Sequence, residues 1–194
     1  VISWDDLIPA SAPLKDPFEK FDDDVLDDLE VVYRGRADLR VELIDPGSAE
    51  HQDLLETEKR LSAKGVDVDD LFARLEVIEA KIERRNQEVV PGLEGLLVRL
   101  PGYALPLKHV ETGVKEFLLV PYVGACIHSP PPPANQMVFV RLDENYVIKN
   151  LYEPVWITGR LHIEKISRSM SYVDGASNVA SGYSMKDVRI EPYK

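Results

Sequence analysis

The residues with the clearest chemical potential lie in one short segment, 124–136, which holds the only cysteine of the 194-residue chain. Cys126 and His128 are two positions apart, so in an extended backbone both side chains point to the same side. A thiolate and an imidazole are good zinc ligands, and they are also the pair that cysteine hydrolases and transferases use. The spacing singles out no third group, and further zinc ligands would come from a carboxylate or another histidine: His51, His109 or His162.

The same segment contains four consecutive prolines, 130–133. Proline fixes φ and lacks an N–H group, so such a run forms a stiff extended rod instead of a ladder strand. A rigid surface loses little entropy on binding, which favours a recognition site. The structural alternative is a rod that only supports the wall of the fold. We expect the recognition surface to comprise Tyr122, Pro130, Pro131, Pro132, Pro133, Asn135 and Gln136.

The first half of the chain has helical spacing of its apolar residues. Aspartates 22–24 can cap a helix whose apolar stripe ends near Gly35, and the alternation in 39–44 predicts a short strand or extended arm. A helical hairpin is predicted over 49–88, with Gly65 as the C-cap of its first helix. The two helices of this hairpin are expected to bury their apolar stripes against each other.

From Pro91 onward the pattern is that of β-strands. The cleanest alternation runs from Val155 to Ile163. A turn is predicted at 143–145, and a mobile loop is predicted at 168–181. Five or six short strands favour an α+β protein whose C-terminal half is a small β-barrel of the oligonucleotide-binding type, with a two-sheet sandwich as second choice. The predicted segments are an N-terminal arm and helix (1–48), the helical hairpin (49–90) and the barrel (91–194).

The charge is concentrated in the first half, where residues 1–90 hold 24 acidic and 12 basic side chains, against a net charge of −11 for the whole chain. A phosphate backbone repels such a chain, so we expect no nucleic-acid partner. The sequence contains no G-x-G-x-x-G, P-loop, H-E-x-x-H or G-x-S-x-G pattern, which argues against nucleotide-binding, zincin and serine-hydrolase functions. A single cysteine cannot form an internal disulfide.

Several segments of the chain resemble a bacterial envelope family catalogued as domain of unknown function 3299. The cysteine-histidine-proline segment is the most specific of them. The matching segments are W-D-D-L-I-P (4–9), R-L-P-G-Y-A-L-P-L (99–107), F-L-L-V-P-Y-V-G-A-C-I-H-S-P-P-P-P-A-N-Q (117–136), P-V-W-I-T-G-R-L (154–161) and S-G-Y-S-M-K-D-V-R-I-E-P-Y (181–193).

This resemblance implies a periplasmic, secreted or lipid-anchored protein of a Gram-negative cell envelope. The genes of family members occur in settings similar to those of accessory proteins of export-type ABC transporters. Some of these accessory proteins are linked to zinc supply. A lipid would be carried on an N-terminal cysteine, so we expect membrane contact only through an anchor that this sequence does not include. No catalytic residue is carried over from the family.

The leading hypothesis is therefore a non-enzymatic periplasmic binding or adaptor protein, accessory to an ABC transporter, with a link to zinc homeostasis. The acidic helical half would meet a protein partner such as the periplasmic domain of the transporter. The first alternative is a zinc-binding protein or metallochaperone that uses Cys126 and His128, with His162 or His109 as a further ligand. The second alternative is a thiol-dependent enzyme.

Overall fold

The structure, a computed structural model, describes residues 1–107, 113–122, 131–148, 154–172 and 175–193. Within these ranges three helices precede five strands, which confirms the α+β class. The helices are α1 (Asp23–Arg40), α2 (Ala49–Ala63) and α3 (Val68–Gln87), and the strands are β1 (Leu97–Pro106), β2 (Val114–Val120), β3 (Val138–Tyr146), β4 (Val155–Tyr172) and β5 (Gly175–Pro192). None of the described helices is long and apolar enough to span a bilayer.

The chain divides into two units that differ from the predicted segments. A helical unit comprises Ala12–Ile82, and a sheet unit comprises Val1–Ser11 together with Glu83–Lys194. The predicted boundary at residue 48 separated α1 from the hairpin, but α1 belongs to the same unit as α2. The first eleven residues, predicted as part of an arm, belong to the sheet unit.

The helical unit is organised around the packing of α1 on α2. The Asp22 carboxylate caps α1 by accepting from the Val25 N–H at 2.9 Å, and Gly65, at φ +78°, follows α2 as predicted. A Cβ built on Gly35 would lie only 3.0 Å from Leu54 Cδ1, so the missing side chain lets the two helices approach closely. The buried core consists of Val25, Leu29, Val32, Leu54, Leu61, Val66, Val68 and Leu71.

Two expectations for this unit are wrong. Gly35 does not end α1, which continues to Arg40, and residues 41–44 form a turn and bend instead of a strand. Both helices of the predicted hairpin are present, but they make few contacts with each other: α2 packs on α1, and α3 adds only Val68 and Leu71 to the buried core. Along the predicted stripe of α3, Leu71 is buried, whereas Ile82 is about half exposed. The spacing identified the helix but not its partner, because an apolar stripe carries no information on what covers it.

The five strands of the sheet unit pair in an order that closes on itself, β1-β2-β3-β5-β4 and back to β1. β1 makes the closure by changing partner: Leu97–Gly102 pair with β4, and Tyr103–Pro106 pair with β2. Gly102 lies at the change, where an added Cβ would meet the Val120 carbonyl oxygen at 2.8 Å. The β3–β5 pairing is parallel and the other four are antiparallel.

Alternate residues of β2 and β3 enter two different apolar clusters. Phe117 and Leu119 contribute to the larger cluster, whereas Leu118, Val120 and Phe139 contribute to the second one. Since neighbouring strand residues point to opposite faces, the second cluster covers the other face of these strands. It is completed by Ile166 of β4 and Val179 of β5, so both faces of β2 and β3 are buried over Phe117–Val120 and Val138–Val140.

Two predicted turns are strand residues. The segment 168–181 was expected to be a mobile loop, but its described residues belong to the β4–β5 ladder, in which Ile166–Tyr172 pair residue by residue with Gly175–Ser181. The segment 143–145 lies inside β3. Serine, asparagine and glycine indicate loops only by composition, and an antiparallel ladder is held by backbone groups that every residue except proline supplies.

Candidate functional site

The two amide side chains of the predicted recognition surface bind the protein's own backbone. Asn135 is buried, and its Nδ2 donates to the carbonyl oxygens of Arg85 at 2.8 Å and Glu88 at 3.0 Å. It therefore satisfies carbonyl groups at the C-terminal end of α3. Gln136 Nε2 donates to the Trp4 carbonyl oxygen at 2.8 Å. Both contacts hold the residues after the proline run in place.

A fully buried tyrosine joins the same region to the N-terminal residues. The Tyr183 hydroxyl donates to the Leu7 carbonyl oxygen at 2.8 Å and accepts from the Val90 N–H at 2.7 Å. Burial raises the pKa of Tyr183 above 10.0, and the bond from Val90 opposes this shift. This role of Tyr183 was not predicted from the sequence, although a tyrosine on the buried face of a strand must find a partner for its hydroxyl.

A groove of about 520 Å³ runs beside the proline segment within the sheet unit. One wall is formed by Pro131–Ala134, of which Pro131 is exposed and Pro132 is buried. The rest of the lining comes from β4 and β5, including Ile166, Asn178 and Ala180, and from the end of α3, with Glu83, Asn86 and Gln87. The groove combines apolar surface with amide and hydroxyl groups, a composition suited to binding.

His162, a candidate zinc ligand, is oriented by a carboxylate. Its Nδ1 lies 2.9 Å from Glu94 Oε1, while Glu94 Oε2 accepts from the Ile163 N–H at 2.6 Å. The bond from Ile163, followed by the one with His162, lowers the pKa of Glu94 below 4.5. A carboxylate on one ring nitrogen is common for metal-binding histidines, because it directs the other nitrogen outward. Within the described ranges, however, no group of three or more histidine, cysteine, aspartate or glutamate residues could hold a metal ion.

Some of the remaining predicted site residues lie within the described ranges and others lie outside them. His109, Cys126, His128 and Pro130 lie outside the described residues. Tyr122 is exposed, at 46%. The structure brings Pro131–Pro133 to the groove and places Asn135 and Gln136 in the backbone contacts behind it. The zinc and thiol hypotheses for Cys126 and His128 stay predictions.

The closed five-stranded sheet, joined to its N-terminal residues by Tyr183, defines an α+β protein with a groove beside a proline wall. The chain belongs to the family DUF3299, described as a protein of unknown function, whose family model matches residues 4–192. It is similar to the crystal structure of a DUF3299 family protein from Pseudomonas aeruginosa PAO1, with a TM-score of 0.52 and 28% sequence identity. That match covers 100% of this chain and 95% of the Pseudomonas chain. No curated protein matches the chain.

The segments that carry the family resemblance meet in space. Trp4 Nε1 donates to the Pro101 carbonyl oxygen at 2.7 Å, which joins the first segment to the second. Gln136 binds the Trp4 carbonyl oxygen, and Tyr183 binds that of Leu7, so the third and last segments join the same network. These motifs therefore specify how the sheet unit is closed, in addition to any ligand that they bind.

Proposed function

We propose that this protein is a non-enzymatic binding or adaptor protein of the Gram-negative cell envelope, acting in the periplasm beside an ABC transporter and linked to zinc supply. The family membership supports the envelope setting through the resemblance described above. The observation that carries the binding role is the groove of about 520 Å³ along Pro131–Ala134. A partner entering it would meet a wall that is already rigid, so little ordering entropy is lost.

The strand order supports the assignment of an oligonucleotide-binding-type barrel, since β1 is shared by β2 and β4 and β3 runs parallel to β5. Barrels of that type commonly bind oligonucleotides or oligosaccharides on the face of their second and third strands. Here Leu118, Val120 and Phe139 of those strands pack under Ile166 and Val179. This covering favours the groove over the strand face as the binding surface.

The helical unit supports the choice of a protein partner. Residues 12–82 carry 20 acidic and 10 basic side chains, so nearly all of the net charge of −11 resides there. A field of one sign speeds the encounter with a partner of opposite charge and is weakened by salt. We therefore propose that the acidic helical unit attracts a basic surface of the partner, and that the groove of the sheet unit binds it.

Site-specific photo-crosslinking tests this function. A photoreactive amino acid at Asn178, which is exposed in the groove, is compared with the same group at Glu144, an exposed position on β3. We expect the Asn178 probe to crosslink, in envelope extract of a Gram-negative host, to a component of an ABC transporter that the Glu144 probe does not capture. Identical products from both positions, or products without any transporter component, would refute the proposal.

A further inference from the structure

The groove exposes one edge of β5. On its first side β5 pairs with β4 without interruption from Gly175 to Ser181. On its second side it pairs with β3 only at Tyr183, Ser184 and Met185. No strand in the described ranges pairs with this second edge over 175–180.

The register shows which backbone groups this edge presents. Tyr172 and Gly175 are partners only three positions apart, and at that separation an antiparallel pair can only be of the hydrogen-bonded kind. Hydrogen-bonded and non-hydrogen-bonded pairs then alternate along an antiparallel ladder. The pairs Ser169–Asn178 and Ser167–Ala180 are of the second kind. The N–H and C=O groups of Asn178 and Ala180 therefore point away from β4 and toward the open edge.

The neighbouring wall cannot complete the ladder in place of a strand. Pro131, Pro132 and Pro133 line the groove and have no N–H groups to donate. Where the unpaired edge of β5 meets the stretch paired with β3, a side chain makes the connection: the Ser181 hydroxyl donates to the Met137 carbonyl oxygen at 2.8 Å. From Asn178 to Gly182 the strand rises about 13 Å at roughly 3.3 Å per residue, which is room for a short strand.

We propose that the groove binds an extended peptide segment of the partner, which adds as a strand to the edge of β5 and bonds with the N–H and C=O groups of Asn178 and Ala180. This inference rests on the binding function proposed above and names the kind of segment that the groove accepts. Main-chain bonds supply affinity in this mode of recognition, and alternate side chains supply selectivity. Alternate residues of the peptide would face the prolines and Met137, which line the groove.

Proline scanning of the edge tests the proposal in the full-length chain. Ala180→Pro removes an outward N–H and no bond to β4, while the control Ala180→Val keeps the N–H and adds a good strand former. The probe is a twelve-residue peptide selected on the wild-type protein from a synthetic library. We expect Ala180→Pro to weaken binding at least tenfold and Ala180→Val to leave it within about threefold. Asn178→Pro is the second edge variant and should act like Ala180→Pro.

Hydrogen exchange on the wild-type protein gives a test that needs no variant. The amide protons of Asn178 and Ala180 should exchange readily in dilute free protein and become protected when the peptide is bound. Protection already present in dilute free protein would show that the chain itself covers the edge and would overturn the proposal. Protection that appears only on concentrating the protein would assign the edge to a second copy and would overturn it equally.

Three further results would contradict strand addition: a library that yields no binder, a bound peptide that leaves both amides unprotected, or equal binding to wild type and Ala180→Pro. The crosslinking experiment separates this failure from failure of the proposed function. If the Asn178 probe still captures a transporter component in the Ala180→Pro background, the groove binds its partner without an added strand.

Discussion

Removing the hydroxyl group of Tyr183 should destabilise the sheet unit more than an ordinary Tyr→Phe substitution. In Tyr183→Phe the ring remains, but the Val90 N–H and the Leu7 carbonyl oxygen both lose their partner in a fully buried setting. Each unsatisfied buried group costs about 1–3 kcal/mol, so the two together should lower the free energy of unfolding by about 2–6 kcal/mol. This is a large part of the ~5–15 kcal/mol typical of a domain.

Tryptophan fluorescence during urea unfolding is the appropriate assay, because both tryptophans, Trp4 and Trp156, belong to the sheet unit. At a slope of about 2 kcal/mol per molar urea, the midpoint should fall by roughly 1–3 M. Tyr122→Phe is the matched control, since its ring is exposed and the change should stay within about 0.5 kcal/mol. If the two variants unfold at the same urea concentration, the hydroxyl does not hold the N-terminal residues and the reasoning fails.

Alkaline pH gives a second test of the same group. The pKa of Tyr183 is raised by burial in the folded state, whereas in the unfolded chain it stays near 10.0. As the pH rises, the unfolded state therefore releases the proton first. The contribution of the Tyr183 hydroxyl to the free energy of unfolding is complete below pH 10 and is lost as the pH rises through the folded pKa. The difference in stability between wild type and Tyr183→Phe should shrink above pH 10, and a constant difference up to pH 12 would contradict this assignment.

Three other outcomes are expected. Gly35→Val should destabilise the helical unit by about 1–3 kcal/mol, because the branched side chain would meet Leu54. Thermal unfolding monitored by far-ultraviolet circular dichroism measures this loss, and unchanged stability would show that the helices can move apart. The lowered pKa of Glu94 stabilises the folded protein above pH 4.5, and this stabilisation is lost as the pH falls through the folded pKa. The free energy of unfolding of wild type should therefore lose its advantage over that of Glu94→Gln on acidification, and a pH-independent difference would refute this. If zinc is bound as the first alternative predicts, protein purified without chelator contains zinc that Cys126→Ala and His128→Ala each lose, and equal zinc content in all three ends that hypothesis.

Local sequence patterns predicted the elements that are recognisable from their own residues alone. The period-two alternation from Val155 identified β4, because one face of that strand is buried continuously from Val155 to Leu161. The spacing of Leu71 and its neighbours identified α3, and Gly65 marked the end of α2. In each case the signal and the structural element occupy the same few residues.

Features set by distant contacts were missed. Gly35 was read as a helix stop because its local effect is to weaken a helix, yet its role is to admit Leu54 from another helix. The bond between Tyr183 and Leu7 joins residues 176 positions apart, which no window of sequence contains. For Asn135 the residue was noticed but its contacts were not, since an amide in a rigid loop is equally suited to a ligand or to a nearby backbone carbonyl.

The division of the chain has a consequence for biosynthesis. Residues 1–11 and 83–194 make one unit, so the seventy-one residues between them form an insertion in the sequence of the sheet unit. Leu7 leaves the ribosome 176 residues before Tyr183 of β5, whose hydroxyl binds the Leu7 carbonyl oxygen. The helical insert can fold while translation continues, whereas the sheet unit must wait, with its first residues unpaired, until its last strand has been made.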